Sequence, residues 1–161
     1  MDGLDCQSKC MRNASLLHSY TDRELPLNNP DSLHRTLTDL EGKDWGPPTY
    51  DSHLVTECHR LRHVPLKDLG VEDLGTLIGQ EIGLQFLIPV AIDLLREDPW
   101  AGGDMYPGYL LKRVVEVPAS HWTANPEMIP RFQSVLDEAE KRWQFYQKEV
   151  LPAWSRVFGG T

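Results

Sequence analysis

Cysteine is scarce in this sequence of 161 residues, where only Cys6, Cys10 and Cys58 occur. An odd number of cysteines does not fit a framework of disulfides, and three residues between Cys6 and Cys10 are not the CxxC spacing of a zinc or redox site. We therefore interpret Cys6 and Cys10 as incidental thiols and predict a protein of the reducing cytoplasm.

Basic residues are also in the minority. The 16 lysines and arginines are outnumbered by 24 aspartates and glutamates, which leaves a formal net charge of −8. Nucleic acids and anionic membranes are bound through basic surfaces, so neither is an expected partner. A basic protein would fit, because opposite charges speed the encounter of two proteins.

Long hydrophobic runs are missing as well. The longest apolar stretch, residues 84–95, is interrupted by Gln85, Pro89 and Asp93 and is too short to cross a bilayer. The start of the chain has no apolar run long enough for a signal peptide. The interrupted stretch is typical of a buried helix, and we expect a soluble protein.

Catalytic motifs are absent from the sequence. His59 and His63 stand one helical turn apart, which can place two imidazoles on one metal ion, but HRLRH lacks the glutamate that follows the first histidine of a zinc protease helix. No nucleophile elbow and no phosphate-binding glycine loop occur. We predict a protein that is not an enzyme and has no cofactor or bound metal. A small metal-dependent hydrolase using His59 and His63 is the alternative.

The spacing of apolar residues predicts an all-α fold. Apolar positions recur at helical intervals between prolines and glycines, which predicts a compact single-domain helical bundle over residues 31–161. Residues 1–30 are mostly polar and end in PLNNP, which predicts a poorly ordered N-terminal extension.

Segment 84–97 is apolar on most sides and is predicted to be the central helix, kinked or broken at Pro89. Segment 109–117 is compatible with a helix or a strand, and the VVEV run favours a short strand-like piece near 112–117. The longest helix is predicted to run to Pro152, with an apolar stripe from Ile129 to Tyr146. Helix starts are expected at Asp31, at Asp51 or Ser52, at Gly70, at Leu84, near Pro107 after an Asp104 cap, and at Asn125.

The negative charge is concentrated in residues 64–108. Eight acids there oppose only Lys67 and Arg96, which accounts for −6 of the total of −8. This concentration predicts an acidic binding surface on a rigid helical core. The eight acids are Asp68, Glu72, Asp73, Glu81, Asp93, Glu97, Asp98 and Asp104.

Several motifs of this region resemble a known family. The chain has an LE–WG opening at residues 40–46, a CHRLR helix, VEDLGTLIGQEIGL, and the ending GDMYPGYLL. In combination, over residues 39–111, these resemble the immunity proteins of bacterial contact-dependent growth inhibition systems. The chain departs from the family pattern at Pro47-Pro48, where an acid is expected, and at Tyr109, where an acid or asparagine is expected.

The resemblance implies a function for the acidic surface. Such proteins bind the C-terminal toxin domain delivered by a neighbouring cell, often a nuclease that cleaves transfer RNA, and neutralise it. Aromatic residues in or beside loops are suitable interface anchors, and equally suitable lids on a core. A helical adaptor domain without a toxin partner is a further alternative. The predicted toxin-binding residues are Glu72, Asp73, Glu81, Asp98, Trp100, Asp104, Tyr106 and Tyr109.

Overall fold

The computed structural model describes residues 30–50 and 52–152. Within these ranges the chain is all-α, as predicted, and has no β-strand beyond one isolated bridge between Thr36 and Pro65. None of the helices in this part of the chain is long and apolar enough to cross a membrane. The predicted extension and the segment after Pro152 lie outside the described residues.

Seven α-helices make up the described part of the chain, with 3-10 turns at Pro30–His34 and Leu66–Asp68. A π-helical turn, Tyr146–Val150, continues the last helix. The helices are α1 (Leu37–Glu41), α2 (His53–Leu61), α3 (Val71–Gly79), α4 (Leu84–Glu97), α5 (Tyr109–Val115), α6 (Ala119–Ala124) and α7 (Met128–Phe145).

Helix α4 is the centre of the bundle, as its composition predicts, and contacts α3, α5 and α7. Leu87, Ile88, Ile92 and Leu95 on α4 have no exposed surface. The predicted break at Pro89 does not occur, because the proline is buried within a continuous helix. In the second turn it removes a single backbone hydrogen bond, which the packed neighbours on three sides tolerate.

The first helix begins later than predicted. The backbone N–H of Asp39 donates to the Thr36 hydroxyl at 3.1 Å, and the N–H of Thr36 donates to the Asp39 carboxylate at 3.0 Å. This capping box starts α1 after the separate 3-10 turn at Pro30–His34, so the continuous helix expected from Asp31 is wrong. The starts expected at Ser52 and Gly70 are confirmed.

Residues 109–115 form helix α5, so the strand-like alternative near 112–117 is wrong. Packing explains the outcome. Tyr109 at the start of α5 is 4% exposed and lies against Gly75 of α3, where a Cβ atom would come within 2.2 Å of the Tyr109 ring. The small residue lets the two helices approach closely, and this tertiary contact overrides the strand propensity of the valines.

Helix α7 follows its predicted stripe only in part. Phe132, Val135 and Ala139 are buried against the core. Ile129 is 48% exposed and Trp143 is also 48% exposed, so the stripe does not continue into the core at either end. The helix starts at Met128, three residues later than the expected start at Asn125, and residues 119–124 form the separate helix α6. The C-terminal end of α7 therefore presents aromatic side chains to solvent.

Candidate functional site

The 98–108 loop joins α4 to α5 and carries four of the predicted toxin-binding residues. Its first turn is closed by the backbone N–H of Trp100, which donates to the Asp98 carboxylate at 3.1 Å. The N–H of Gly108 donates to the Trp100 carbonyl at 2.8 Å, which draws the two ends of the loop together. These bonds give the loop a defined shape on the helical core.

Glu72 fastens this loop to the start of α3. Its carboxylate accepts a hydrogen bond from the backbone N–H of Asp104 and another from its own N–H, and these bonds lower the pKa of Glu72. Gly103, with a φ of 54°, lies directly against the carboxylate, where a Cβ atom would be 1.6 Å from Oε1. Glu72 therefore holds the loop in place, and the cap expected at Asp104 is wrong because α5 starts after Gly108.

The two tyrosines of the loop region have different roles. Tyr106 is 44% exposed and meets the Tyr109 ring edge to face, with centroids 5.5 Å apart. Tyr109 is buried and lies beneath the Arg113 guanidinium, 5.2 Å from its ring centroid. Tyr106 therefore offers an accessible aromatic surface. Tyr109 packs against the Tyr106 ring from the core. Because Tyr109 is buried, we do not include it in the proposed contact surface, although the sequence had suggested it as a toxin-binding residue.

Trp100 forms one wall of a surface groove. A Cβ atom on Gly108 would be 3.1 Å from the indole of Trp100, and the Trp143 ring lies 6.3 Å away at an angle of 44°. Ala139 and Glu140 complete a shallow groove of about 380 Å³ that is open to solvent. Sequence reasoning did not identify Glu140 or Trp143, because Trp143 follows Ala139 at helical spacing and was interpreted as core.

Asp73 and Glu81 occupy the two ends of α3. Asp73 accepts a hydrogen bond from the N–H of Gly70 at 3.0 Å and lies 3.9 Å from Arg60, so it caps the helix. Glu81 is exposed just beyond the C-terminal end, roughly 13 Å along the helix axis from Glu72. Its φ of 56° is left-handed, which is unfavourable for a residue other than glycine. Glu81 is therefore separate from the loop surface.

The folded chain neutralises part of the acidic surface. Arg60, Arg131 and Arg142 come from α2 and α7 and lie 3.9, 2.8 and 3.5 Å from Asp73, Asp93 and Asp98 respectively. The surplus of −6 counted over residues 64–108 thus overstates the local charge. Four exposed acids of this segment have no ion pair within residues 30–50 and 52–152: Asp68, Glu81, Glu97 and Asp104.

His59 of α2 and His63, two residues beyond its end, contact neighbouring residues of the fold. His59 Nδ1 lies 3.0 Å from the carbonyl oxygen of Gly46, and its ring meets Trp45 edge to face at 5.4 Å. His63 Nε2 lies 3.9 Å from the Asp44 carboxylate. In the described part of the chain, no group of three or more histidine, cysteine, aspartate or glutamate residues could hold a metal ion. The two histidines thus contact the turn at residues 44–46.

The second arginine of the CHRLR motif, Arg62, is a buried core residue. Arg62 is 1% exposed, its Nη1 lies 2.7 Å from the Glu41 carboxylate, and its guanidinium lies 3.9 Å above the Trp45 ring centroid. Its Nη2 donates to the Lys43 carbonyl at 2.9 Å. This set joins α1, the following WG turn and α2, so the Leu40-Glu41 and Trp45-Gly46 pairs of the motif are explained by packing.

Comparison with known proteins identifies the family. The sequence profile of the CDI immunity proteins matches residues 39–132, which is more than half of the chain and reaches from α1 into α7. No curated protein matches the chain. No solved structure matches it either. The matched segment contains the Arg62 cluster, the central helix and the whole 98–108 loop, and the chain belongs to the CDI immunity proteins.

Proposed function

We propose that this chain neutralises a basic nuclease toxin of a contact-dependent growth inhibition system in the cytoplasm of the cell that makes it. Family membership over residues 39–132 is the observation that carries the proposal. Binding of a cognate toxin follows from the family. The basic nuclease character of the toxin is inferred from the acidic excess of the chain, 24 acids against 16 bases.

The 98–108 loop suits a binding role. It presents the carboxylate of Asp104, which has no ion pair within residues 30–50 and 52–152, near the exposed ring of Tyr106, and Glu72 holds its backbone. A loop ordered before binding loses less conformational freedom on association, which raises affinity. Exposed tyrosines are frequent anchors of protein interfaces. Met105, 56% exposed, adds apolar surface between them.

Inhibition by this surface requires no catalysis. A nuclease binds the phosphates of its substrate through lysine and arginine side chains. Carboxylates such as Asp104 and Glu97 can pair with the same cations and exclude the nucleic acid. Opposite charges also steer the two proteins together, so the association rate constant should fall as salt is added.

A growth assay tests the proposal. The C-terminal domain encoded by the gene immediately upstream is produced in cells together with this chain, and survival is measured. We expect the wild-type chain to protect, and a chain with Asp104→Lys and Tyr106→Ala to lose protection. Glu149→Lys, which reverses an exposed acid on the turn that continues α7, is the matched control and should protect fully.

Asp104 is a better position for charge reversal than Glu72 or Asp73. The Glu72 and Asp73 carboxylates accept hydrogen bonds from Asp104 and Gly70, so their reversal would disturb the fold as well as the surface. Full protection by the Asp104/Tyr106 double variant would show that the toxin is bound at another surface. Failure of the wild-type chain both to protect and to bind the upstream domain would favour the adaptor alternative.

A further inference from the structure

We propose that the groove between Trp100 and Trp143 accepts an arginine or lysine side chain of the toxin, with Glu140 as its counter-ion. This inference rests on the proposed function and adds a contact for it that the loop surface does not include. The groove lies where α7 passes the 98–108 loop, and its largely apolar lining is formed by Trp100, Ala139, Glu140 and Trp143.

The geometry of the two indoles favours a cation. Their centroids are 6.3 Å apart and their planes are inclined by 44°, which leaves a wedge between them open to solvent. A cation at the open side of the wedge would lie over an indole face, within the roughly 6 Å of a ring centroid at which cation–π attraction is effective. Tyr146 stacks on Trp143 at 5.8 Å and 19°, which restricts the orientation of that indole.

The charge of the groove also favours a cation. Glu140 accepts a hydrogen bond from Gln144 at 2.8 Å but has no ion pair within residues 30–50 and 52–152. The neighbouring Arg142 is engaged by Asp98 and Glu138, at 3.5 and 3.1 Å. An apolar occupant would desolvate the unpaired carboxylate at a cost in free energy, whereas a basic side chain would neutralise it.

The chain uses the same combination of groups internally. Arg62 lies 3.9 Å above the Trp45 ring centroid and 2.7 Å from the Glu41 carboxylate. One indole and one carboxylate thus hold a guanidinium within the core of this protein. The surface groove offers two indoles and Glu140, and no arginine is among the described residues that line it.

Calorimetric titration with the purified C-terminal domain encoded by the gene immediately upstream tests the inference. We expect Glu140→Gln and Trp143→Leu each to raise the Kd by about 5- to 30-fold, the range that corresponds to one cation–π or charge contact. Glu149→Gln removes the same charge about 13 Å further along the helical segment, beyond the screening length, and should leave the Kd unchanged. Glu140 is exposed and Trp143 is half-exposed, so thermal unfolding should show that every variant remains folded, with at most a small decrease in Tm for Trp143→Leu.

Three results would overturn the inference and are distinguishable. If both groove variants bind the domain as the wild type does, the toxin is held elsewhere and the proposed function stands. If Trp143→Leu weakens binding and Glu140→Gln does not, the groove takes an apolar side chain. If the wild-type chain is a dimer that Trp143→Leu dissociates, a second copy occupies the groove. Absence of any binding to the wild-type chain would instead reject the proposed function.

Discussion

The carboxylate of Glu72 accepts a hydrogen bond from the backbone N–H of Asp104, a residue 32 positions later in the chain. This bond connects the N-terminal turn of α3 to the middle of the 98–108 loop. The loop that presents Asp104 and Tyr106 is thus held by an acid that had itself been predicted to bind the toxin. Glu72 acts on the candidate surface by positioning it.

Replacing Glu72 with glutamine should make the stability of the protein less dependent on pH. Hydrogen bonds lower the pKa of Glu72 in the folded chain, so its carboxylate stabilises the fold above its ordinary pKa of about 4.3, and this contribution is lost as pH falls through the lower folded pKa. The difference in Tm between wild type and Glu72→Gln should therefore be present at neutral pH and shrink in acid.

Thermal unfolding followed by circular dichroism across the acid range measures this difference. Glu97→Gln replaces an exposed acid without an ion pair in the described residues and should unfold like the wild type at neutral pH. A Glu72→Gln deficit that stays constant from neutral to strongly acidic pH would show that the carboxylate bonds do not contribute in this way.

Two glycines of α3 should respond differently to replacement by alanine. At Gly75 a Cβ atom would lie 2.2 Å from the buried Tyr109 ring, so Gly75→Ala should lower the free energy of unfolding by about 1–3 kcal/mol. At Gly79 the nearest atom is 3.4 Å away on the flexible Arg113 side chain, so Gly79→Ala should be neutral or stabilise by up to about 1 kcal/mol. Urea denaturation compares them, and equal effects would mean that α3 and α5 do not approach as described.

Two arginines of α2 and its C-terminal cap should differ strongly in their contribution to stability. Arg62→Ala would leave Glu41 without its partner in a mostly buried setting and should cost about 3–5 kcal/mol. Arg60→Ala breaks the exposed pair with Glu57, 2.6 Å apart, and should cost far less, because ion pairs on the surface contribute little to stability. The free energies of unfolding of the two variants, measured by urea denaturation, test this prediction. A small effect of Arg62→Ala would show that Arg62 does not join α1 to α2.

Replacing Glu81 with glycine should stabilise the fold by up to about 1 kcal/mol, because glycine adopts the left-handed backbone of this position without the Cβ clash. The same variant tests whether Glu81 contacts the toxin. Unchanged protection in the growth assay would exclude Glu81 from the interface, and a loss of protection by a more stable chain would place it there. A lower free energy of unfolding would contradict the backbone argument.

Much of the fold was predictable because its signals are local. Gly70 with Asp73 three residues later marks the start of α3, and the apolar segment from Leu84 to Glu97 forms a helix with those limits. Local signals also caused the errors. The valines of α5 favour a strand, but helix packing through Gly75 and Tyr109 outweighs a propensity of at most about 1 kcal/mol.

The candidate site was only partly predictable. Asp104, Tyr106 and Trp100 lie in one loop and were identified together from sequence. Glu140 and Trp143 were missed, because helical spacing cannot show that α7 leaves the core after Ala139. The separation of Glu81 from the other predicted residues likewise depends on the direction of α3.

The sequence alone determined the helical class, the acidic excess and the similarity to the immunity family, because these depend on composition, periodicity and motif order. The tertiary structure decided which carboxylates remain available for a partner. Arg142 forms an ion pair with Asp98, and the Glu72 carboxylate accepts a hydrogen bond from the backbone of Asp104. Dozens of residues separate the partners in each case. Ion pairs and hydrogen bonds act over about 3–4 Å, so only folding, which brings α7, α3 and the 98–108 loop together, settles which charges are used within the chain.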